Sequence, residues 1–388
     1  MTIEIKNIGK LSHAHVELNG ITIIAGENNS GKSTVGKVLF ALITGLSDVT
    51  EQIEIEKGIN IIDAIKRAYR KSGYLLSILP RAIIIPSQEE LENKGQLVSV
   101  LNAYFARGAE YIEPEIINAT AIDIQEVLSV PNHVIFQKTV MNKLRVEFNG
   151  QLTNMHFPKA SSKIQFRQGD INIEMTIEDN MLISELNPVD FHNKAIYVDN
   201  PYVLDRKWVS LASRAEQTSP QQHFDRQLHL FRCLDDAMLF GLNSSSALGD
   251  ILKERKLKRV FEVINAACPG EIKKNDSGRF YSYIENDTGM TYEMDNVSTG
   301  LKSFAIIKAL LQNDCLQTGN ILILDEPEIH LHPEWQIVLA ELLILIQKEL
   351  SIRVLINTHS PYFLNAIEIF SKKHGINDKC KFYQSKNE

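Results

Sequence analysis

Cysteine is scarce in this sequence: four among 388 residues, Cys233, Cys268, Cys315 and Cys380, widely spaced and with no Cys-x-x-Cys pair. That excludes a disulfide framework and a cysteine-based zinc site, so the four read as reduced core residues. Long apolar runs are missing too. No stretch approaches the roughly 20 residues that span a bilayer, and residues 1–8 lack the basic-then-apolar layout of a secretion signal. A soluble cytoplasmic protein with no membrane contact is expected. Basic charge is not in excess: 41 Lys and Arg against 48 Asp and Glu give a net charge of −7. The global footprint of a nucleic-acid binder is therefore lacking. Repeats and low-complexity tracts are also absent. What is present, 44% hydrophobic and 23% charged residues, suffices for one large or two modest cores and argues against disorder.

The patterning predicts an α/β protein. Short alternating runs, "MTIEIKNI" and "AHVELNGITIIAG", are joined by Gly9 and by Asn19-Gly20, and read as antiparallel β leading into a buried strand. "TVGKVLFALITGL" follows as a helix packed on one side, with Gly45 as its stop. Residues 49–130 read as mainly helical, with "RAIIIP" as an intervening strand. From about 143 to 187, "LRVEFNGQLTNMHF" and "KIQFRQGDINIEMTIEDNMLISEL" predict a small antiparallel sheet with Asn-Gly and similar turns. "KAIYVD" reads as a core strand, followed by helices near 222–242 and 248–267 and a hairpin through 273–294. The last hundred residues alternate apolar helices and strands, which implies a parallel sheet covered on both faces. The expected division is 1–48 as the first part of a core, 49–190 as an inserted helical then β region, 191–205 as a core strand, 206–275 as a helical subdomain and 276–388 as the rest of the core.

The chemistry concentrates in a few places. Gly26-Glu27-Asn28-Asn29-Ser30-Gly31-Lys32-Ser33 fits G-x-x-x-x-G-K-[ST] and lies between a strand and a helix. Its glycines let backbone N–H groups and a helix N-terminus face a nucleotide's phosphates, and Lys32 adds a mobile positive charge. Ser33 is placed to ligate Mg²⁺, and Thr34 to point a hydroxyl at the inner phosphate. "ILILDEPEIHLHP" delivers Asp325 and Glu326 to the carboxyl edge of the sheet. Asp325 is suited to the Mg²⁺ shell, and Glu326 to orienting and deprotonating an attacking water. His359 closes the next strand, "LINTHSP", where it can hydrogen-bond the terminal phosphate or that water. His330 and His332 with Glu328 and Glu334 invite a metal reading, but their spacing is not that of a helical ligand pair, and an ordinary loop is the simpler account. "DNVSTGLKS" opens a helix with Ser298 or Thr299 as cap. The densest basic run, residues 253–259, places Lys253, Arg255, Lys256 and Arg259 near one helix face; this is either a solvated surface or a DNA or RNA contact.

The order of phosphate loop, Ser298-Thr299-Gly300-Leu301-Lys302-Ser303, the Asp325-Glu326 strand and His359 resembles the ATPase heads of the ABC superfamily, most nearly the SMC/RecF/OLD branch. "ENNSGKST" and "DEPEIHLHP" look like OLD-type and other phage-defence ATPases. The likeness covers about residues 1–45 and 290–365 and implies a P-loop NTPase fold with an N-terminal antiparallel lobe and a mixed helical and β insertion. It implies ATP hydrolysis with ATP and Mg²⁺ sandwiched between two heads arranged head to tail. Gly26, Asn28, Asn29, Ser30, Gly31, Lys32, Ser33 and Thr34 would bind nucleotide in cis, with Glu326 and His359 catalytic. Ser298 and Gly300 would cap the terminal phosphate from the partner. A homodimer or higher homo-oligomer that senses nucleic acid and controls a separate nuclease or toxin is the resulting expectation; a RecF-like repair factor and an ATP-bound scaffold are the alternatives. The chain departs from the pattern in lacking Leu-Ser-Gly-Gly-Gln and long coiled-coil arms, and the few residues after the histidine strand lead to the expectation of a head without the nuclease domain that follows that strand in OLD nucleases. The glutamine that senses Mg²⁺ in such heads is left open among Gln88, Gln137 and Gln165.

Overall fold

The computed structural model describes residues 1–73, 94–107, 111–205, 226–235, 247–274 and 281–386. The expected "RAIIIP" strand and Gln88 lie outside them. The chain divides into two compact units, one of Met1–Ser47, Val140–Glu185 and His192–Glu388, the other of Asp48–Thr139 and Leu186–Phe191.

The second unit is helical. Helices α2 (Val49–Lys71), α3 (Lys94–Arg107) and α4 (Pro114–Ser129) bury Ile61, Ile65, Tyr69, Leu97, Leu101, Phe105, Ile117 and Ile124 in a core of their own. Tyr69 and Phe105 meet edge to face at 5.2 Å between ring centroids, a geometry that suits the aromatic quadrupole.

The first unit holds three sheets. Strands β1 (Thr2–Ile8) and β2 (Leu11–Glu17) form a hairpin turned by Gly9 and Lys10. Strands β4 (Ser162–Gln168), β5 (Ile171–Glu178) and β6 (Met181–Leu182) continue that sheet, in the order β2-β1-β4-β5-β6, all antiparallel. The core sheet is parallel. It runs β13 (Cys380–Gln384), β3 (Ile21–Ala25), β12 (Arg353–Thr358), β11 (Ile321–Asp325), β7 (Ala195–Val198). Its central strands are apolar without alternation because helices cover both faces. A third sheet joins β8 (Gly270–Lys274), β9 (Tyr281–Glu285) and β10 (Thr291–Glu293), as the hairpin reading anticipates.

Helix α1 (Lys32–Leu46) follows the phosphate loop and is buried nearly all round rather than on one side. Gly36 permits its contact with the sheet: a Cβ there would sit 3.1 Å from Ile323 Cγ2 and 3.2 Å from Tyr197 Cε2. Gly45 does not stop the helix, which runs on to Leu46 and closes at Ser47, where the side chain donates to Ile43 O and Asn193 O. Helices α8 (Thr299–Gln312), α9 (Pro333–Leu350) and α10 (Pro361–Lys373) belong to the same unit, and the buried faces of all three join the cluster that includes β11 and β12. Two further helices, the short α6 (Arg226–Asp235) and the longer α7 (Ala247–Ala267), add Leu230, Leu257, Val260 and Ile264 to that cluster.

Two turn readings are overturned. Asn19-Gly20 carries no hairpin; it takes the chain from β2 in the antiparallel sheet to β3 in the parallel one. Asn149-Gly150 does not join two strands either, because residues 144–147 are the end of helix α5 (Asn132–Glu147). Gly150, at φ 80°, donates its N–H to Arg145 O at 2.8 Å and so caps that helix. The five residues "LRVEF" fit either period, and Phe136, Val140 and Leu144, buried at four-residue spacing, decide for the helix.

The close approach at Gly36 predicts that Gly36→Val destabilises the chain by about 1–3 kcal/mol through overpacking. A urea midpoint equal to that of the parent would show that α1 does not lie this near β7 and β11.

Candidate nucleotide-binding site

Parallel strands end on one edge of their sheet, and here that edge receives the residues singled out above. Register sets Asp325 opposite Asn357 and Thr358 opposite Ala25, so the acidic strand, the histidine strand and the root of the phosphate loop are brought together, at the place where ligands of open α/β sheets bind.

The loop itself turns through two left-handed residues, Asn29 (φ 69°) and Gly31 (φ 86°). It is closely bounded. A Cβ on Gly31 would lie 2.6 Å from Leu11 Cδ2, and one on Gly26 would lie 2.8 Å from Ser385 O. Lys32, only 5% exposed, donates its ammonium to Gly26 O at 2.8 Å and Glu27 O at 2.6 Å. Two of its three N–H donors are thus used and one is left for a phosphate oxygen. Ser30 is buried and donates to Glu27 O at 2.8 Å. Asn28 and Asn29 are exposed, the latter accepting from Lys10 Nζ. Thr34 is buried against the Gly9 turn.

Ser33 Oγ donates to Asp325 Oδ1 at 3.0 Å, a bond between residues 292 apart in sequence. Asn357 Nδ2 donates to the same oxygen at 3.0 Å, and Tyr197 OH donates to Oδ2 at 2.9 Å. Burial and the neighbouring Asp325 carboxylate push the Tyr197 phenol well above its ordinary pKa, so it stays a donor. A hydroxyl and a carboxylate beside a phosphate loop fit Mg²⁺, which takes hard oxygens and commonly completes its shell with water and substrate phosphates. Among the described residues no three His, Cys, Asp or Glu side chains form a metal cage.

Glu326 follows Asp325 in a left-handed conformation, φ 52°, and donates its N–H to Asn357 O at 2.8 Å. The side chain turns toward His359: Glu326 Oε1 lies 3.5 Å from His359 Nδ1. Glu328 is 3% exposed and accepts from Thr358 Oγ1 at 2.5 Å and from His359 N at 3.1 Å, with His359 Nδ1 3.7 Å away. It therefore supports the end of the histidine strand. His332 instead caps α9, its Nδ1 accepting from Glu334 N at 3.5 Å, and His330 meets Tyr202 edge to face.

Ser298 caps α8, accepting from Leu301 N at 3.4 Å, and is exposed; Gly300 is buried, with space for a Cβ only 3.1 Å from Leu331 Cδ2. Of the basic run on α7, Lys253 pairs with Asp314 and Arg259 with Glu262, while Arg255 and Lys256 are exposed. Gln165 lies on β4 in register with Glu4 and Glu174, and Gln137 donates to Leu186 O at 3.3 Å. Tyr197, Asn357 and the supporting role of Glu328 are the site residues the sequence reading missed. For Tyr197 and Asn357 the only local signal is position, near the ends of strands adjacent to the acidic one, whereas Glu328 lies on the loop just past the acidic strand.

A backbone cradle, a lysine aimed across it and a hydroxyl–carboxylate pair on a neighbouring strand together define a P-loop nucleoside-triphosphate-binding protein of the α/β class. Residues 1–364 match the AAA ATPase domain family AAA_15, and the chain belongs to that family. No curated protein matches it. Similar solved structures include two SMC heads. The SMC head domain from Thermotoga maritima is 12% identical with a TM-score of 0.37. A structure of the SmcHead bound to the C-winged helix domain of ScpA is 14% identical with a TM-score of 0.41. Each match covers 94% of this chain and 90% of the other. No helix among the described residues is long and apolar enough to cross a membrane.

Loss of one charge-assisted contact to phosphate predicts that Lys32→Ala weakens binding of a fluorescent ATP analogue by about 10- to 100-fold. Titration followed by fluorescence anisotropy measures this, and an unchanged affinity would remove Lys32 from the site.

Proposed function

We propose that this chain is an ATP-hydrolysing head that works as a head-to-tail pair and uses ATP as a conformational switch over a partner effector. The observation that supports it most is the Ser33–Asp325 bond, which joins the phosphate loop to the acidic strand in one site. The loop N–H groups and Lys32 bind the outer phosphates. Ser33 and Asp325 would hold Mg²⁺, which would supply neutralising charge to the phosphate oxygens. Glu326 orients the attacking water and accepts its proton, with His359 Nδ1 within 3.5 Å to hold that carboxylate or the terminal phosphate. Ser298, exposed at the start of α8, reaches the terminal phosphate of a second copy, so ATP favours the closed pair and hydrolysis releases it.

On this reading the isolated chain turns over slowly and the pair forms with nucleotide. Glu326→Gln is expected to lower turnover about 100-fold or more while the ATP-bound pair accumulates in light scattering. A variant that stays monomeric with ATP, or that hydrolyses at the parent rate, would exclude the switch.

A nucleic-acid contact, and with it a role in sensing phage or damaged DNA, rests on α7, where Arg255 and Lys256 face solvent. Lys253 and Arg259 are engaged in ion pairs and contribute less. Charge reversal at Arg255 and Lys256 together should reduce the slope of log affinity against log salt by about two. A slope that does not move places any DNA or RNA elsewhere.

A further inference from the structure

The carboxylate of Asp325 is held more tightly than its two partners on the phosphate-loop side explain. Ser33 and Asn357 both donate to Oδ1, which leaves the group free to swing about that oxygen. Tyr197 OH is the donor on Oδ2, at 2.9 Å, and so fixes the plane of the carboxylate.

Tyr197 is itself immobilised. It is 1% exposed, on β7 in register with Ile323 of β11. One side of its ring lies against α1 at Gly36, and Phe40 meets it edge-on at 5.8 Å. The Arg226 guanidinium lies over the ring, 4.7 Å from the centroid. Two carboxylates hold that guanidinium in place: Glu147 Oε2 at 2.9 Å and Asp199 Oδ2 at 3.0 Å. Glu147 is the last residue of α5, and its side chain is 3% exposed. A cation pinned by two anions over an aromatic face is a costly arrangement to bury unless its position matters, because each charge gives up water.

We infer that Tyr197 and Arg226 are positioning residues for the divalent cation: the phenol sets the orientation in which Asp325 receives it, and Arg226, anchored by Glu147, holds the phenol. The inference rests on the reading of Ser33 and Asp325 as the Mg²⁺ site. Outer-shell donors of this kind tune metal affinity by orienting the ligand atom.

Tyr197→Phe tests it, since it keeps the ring beneath Arg226 and deletes one hydroxyl. Binding of a fluorescent ATP analogue to the full chain is followed while Mg²⁺ is titrated, and again in EDTA. The half-saturating Mg²⁺ concentration should rise roughly tenfold, with affinity in EDTA and the thermal midpoint unchanged. Arg226→Gln should shift the Mg²⁺ midpoint in the same direction, and Arg226→Lys should restore part of it. An unchanged Mg²⁺ midpoint in Tyr197→Phe overturns the inference and leaves the cation site standing. Equal loss of binding with and without Mg²⁺ also overturns it, by showing a general packing role. If the parent protein binds the analogue with no dependence on Mg²⁺, the assignment of Ser33 and Asp325 falls, and the inference with it.

Discussion

The contact between Ser33 and Asp325 is the constraint from which the rest of the site follows. It holds the start of α1 against the end of β11, elements far apart along the chain. It can form only because β3, β12 and β11 are parallel neighbours in register. A shift of one residue would turn Asp325 to the opposite face of its strand and separate the two oxygens. The apolar runs of those strands, buried on both sides, therefore do more than stabilise a core. They fix the register that puts a hydroxyl and a carboxylate within hydrogen-bond distance.

Around that contact the phosphate loop is bounded on both sides. Leu11 of the antiparallel sheet lies against Gly31, and Ser385, just past β13, lies against Gly26. Ser385 also donates its N–H to Ala25 O at 2.8 Å and its hydroxyl to Ser30 O at 2.7 Å. Each bond is worth about 1 kcal/mol, and together they hold the backbone in a shape whose N–H groups can face an anion without rearranging. Preorganisation of this sort spares the ordering entropy that a mobile loop would lose on binding.

Strong local signals carried most of the site into view. The phosphate-loop spacing needs its residue types because of backbone geometry, so Gly26, Gly31, Lys32 and Ser33 are legible from the loop alone. Asp325 and Glu326 are legible because an apolar run ending in two acids has a single polar exit. Where the sequence misled, the cause was a pattern shared by two structures. Asn149-Gly150 suits a hairpin or a helix cap, since both want left-handed backbone, and "LRVEF" alternates with either period. Asn19-Gly20 suits a tight turn whether or not the strands on either side pair.

The sequence by itself determined the phosphate loop, the acidic strand, the histidine after it and the alternation of helix and strand, because each depends on residues adjacent in the chain. Only the tertiary structure decided that β4 to β6 complete the N-terminal sheet, that Glu328 lies beneath His359, and that Tyr197, Asn357 and Arg226 gather round Asp325. These depend on which strands become neighbours, and strand order is settled by burial of whole faces and by closure of long chain segments rather than by any local preference.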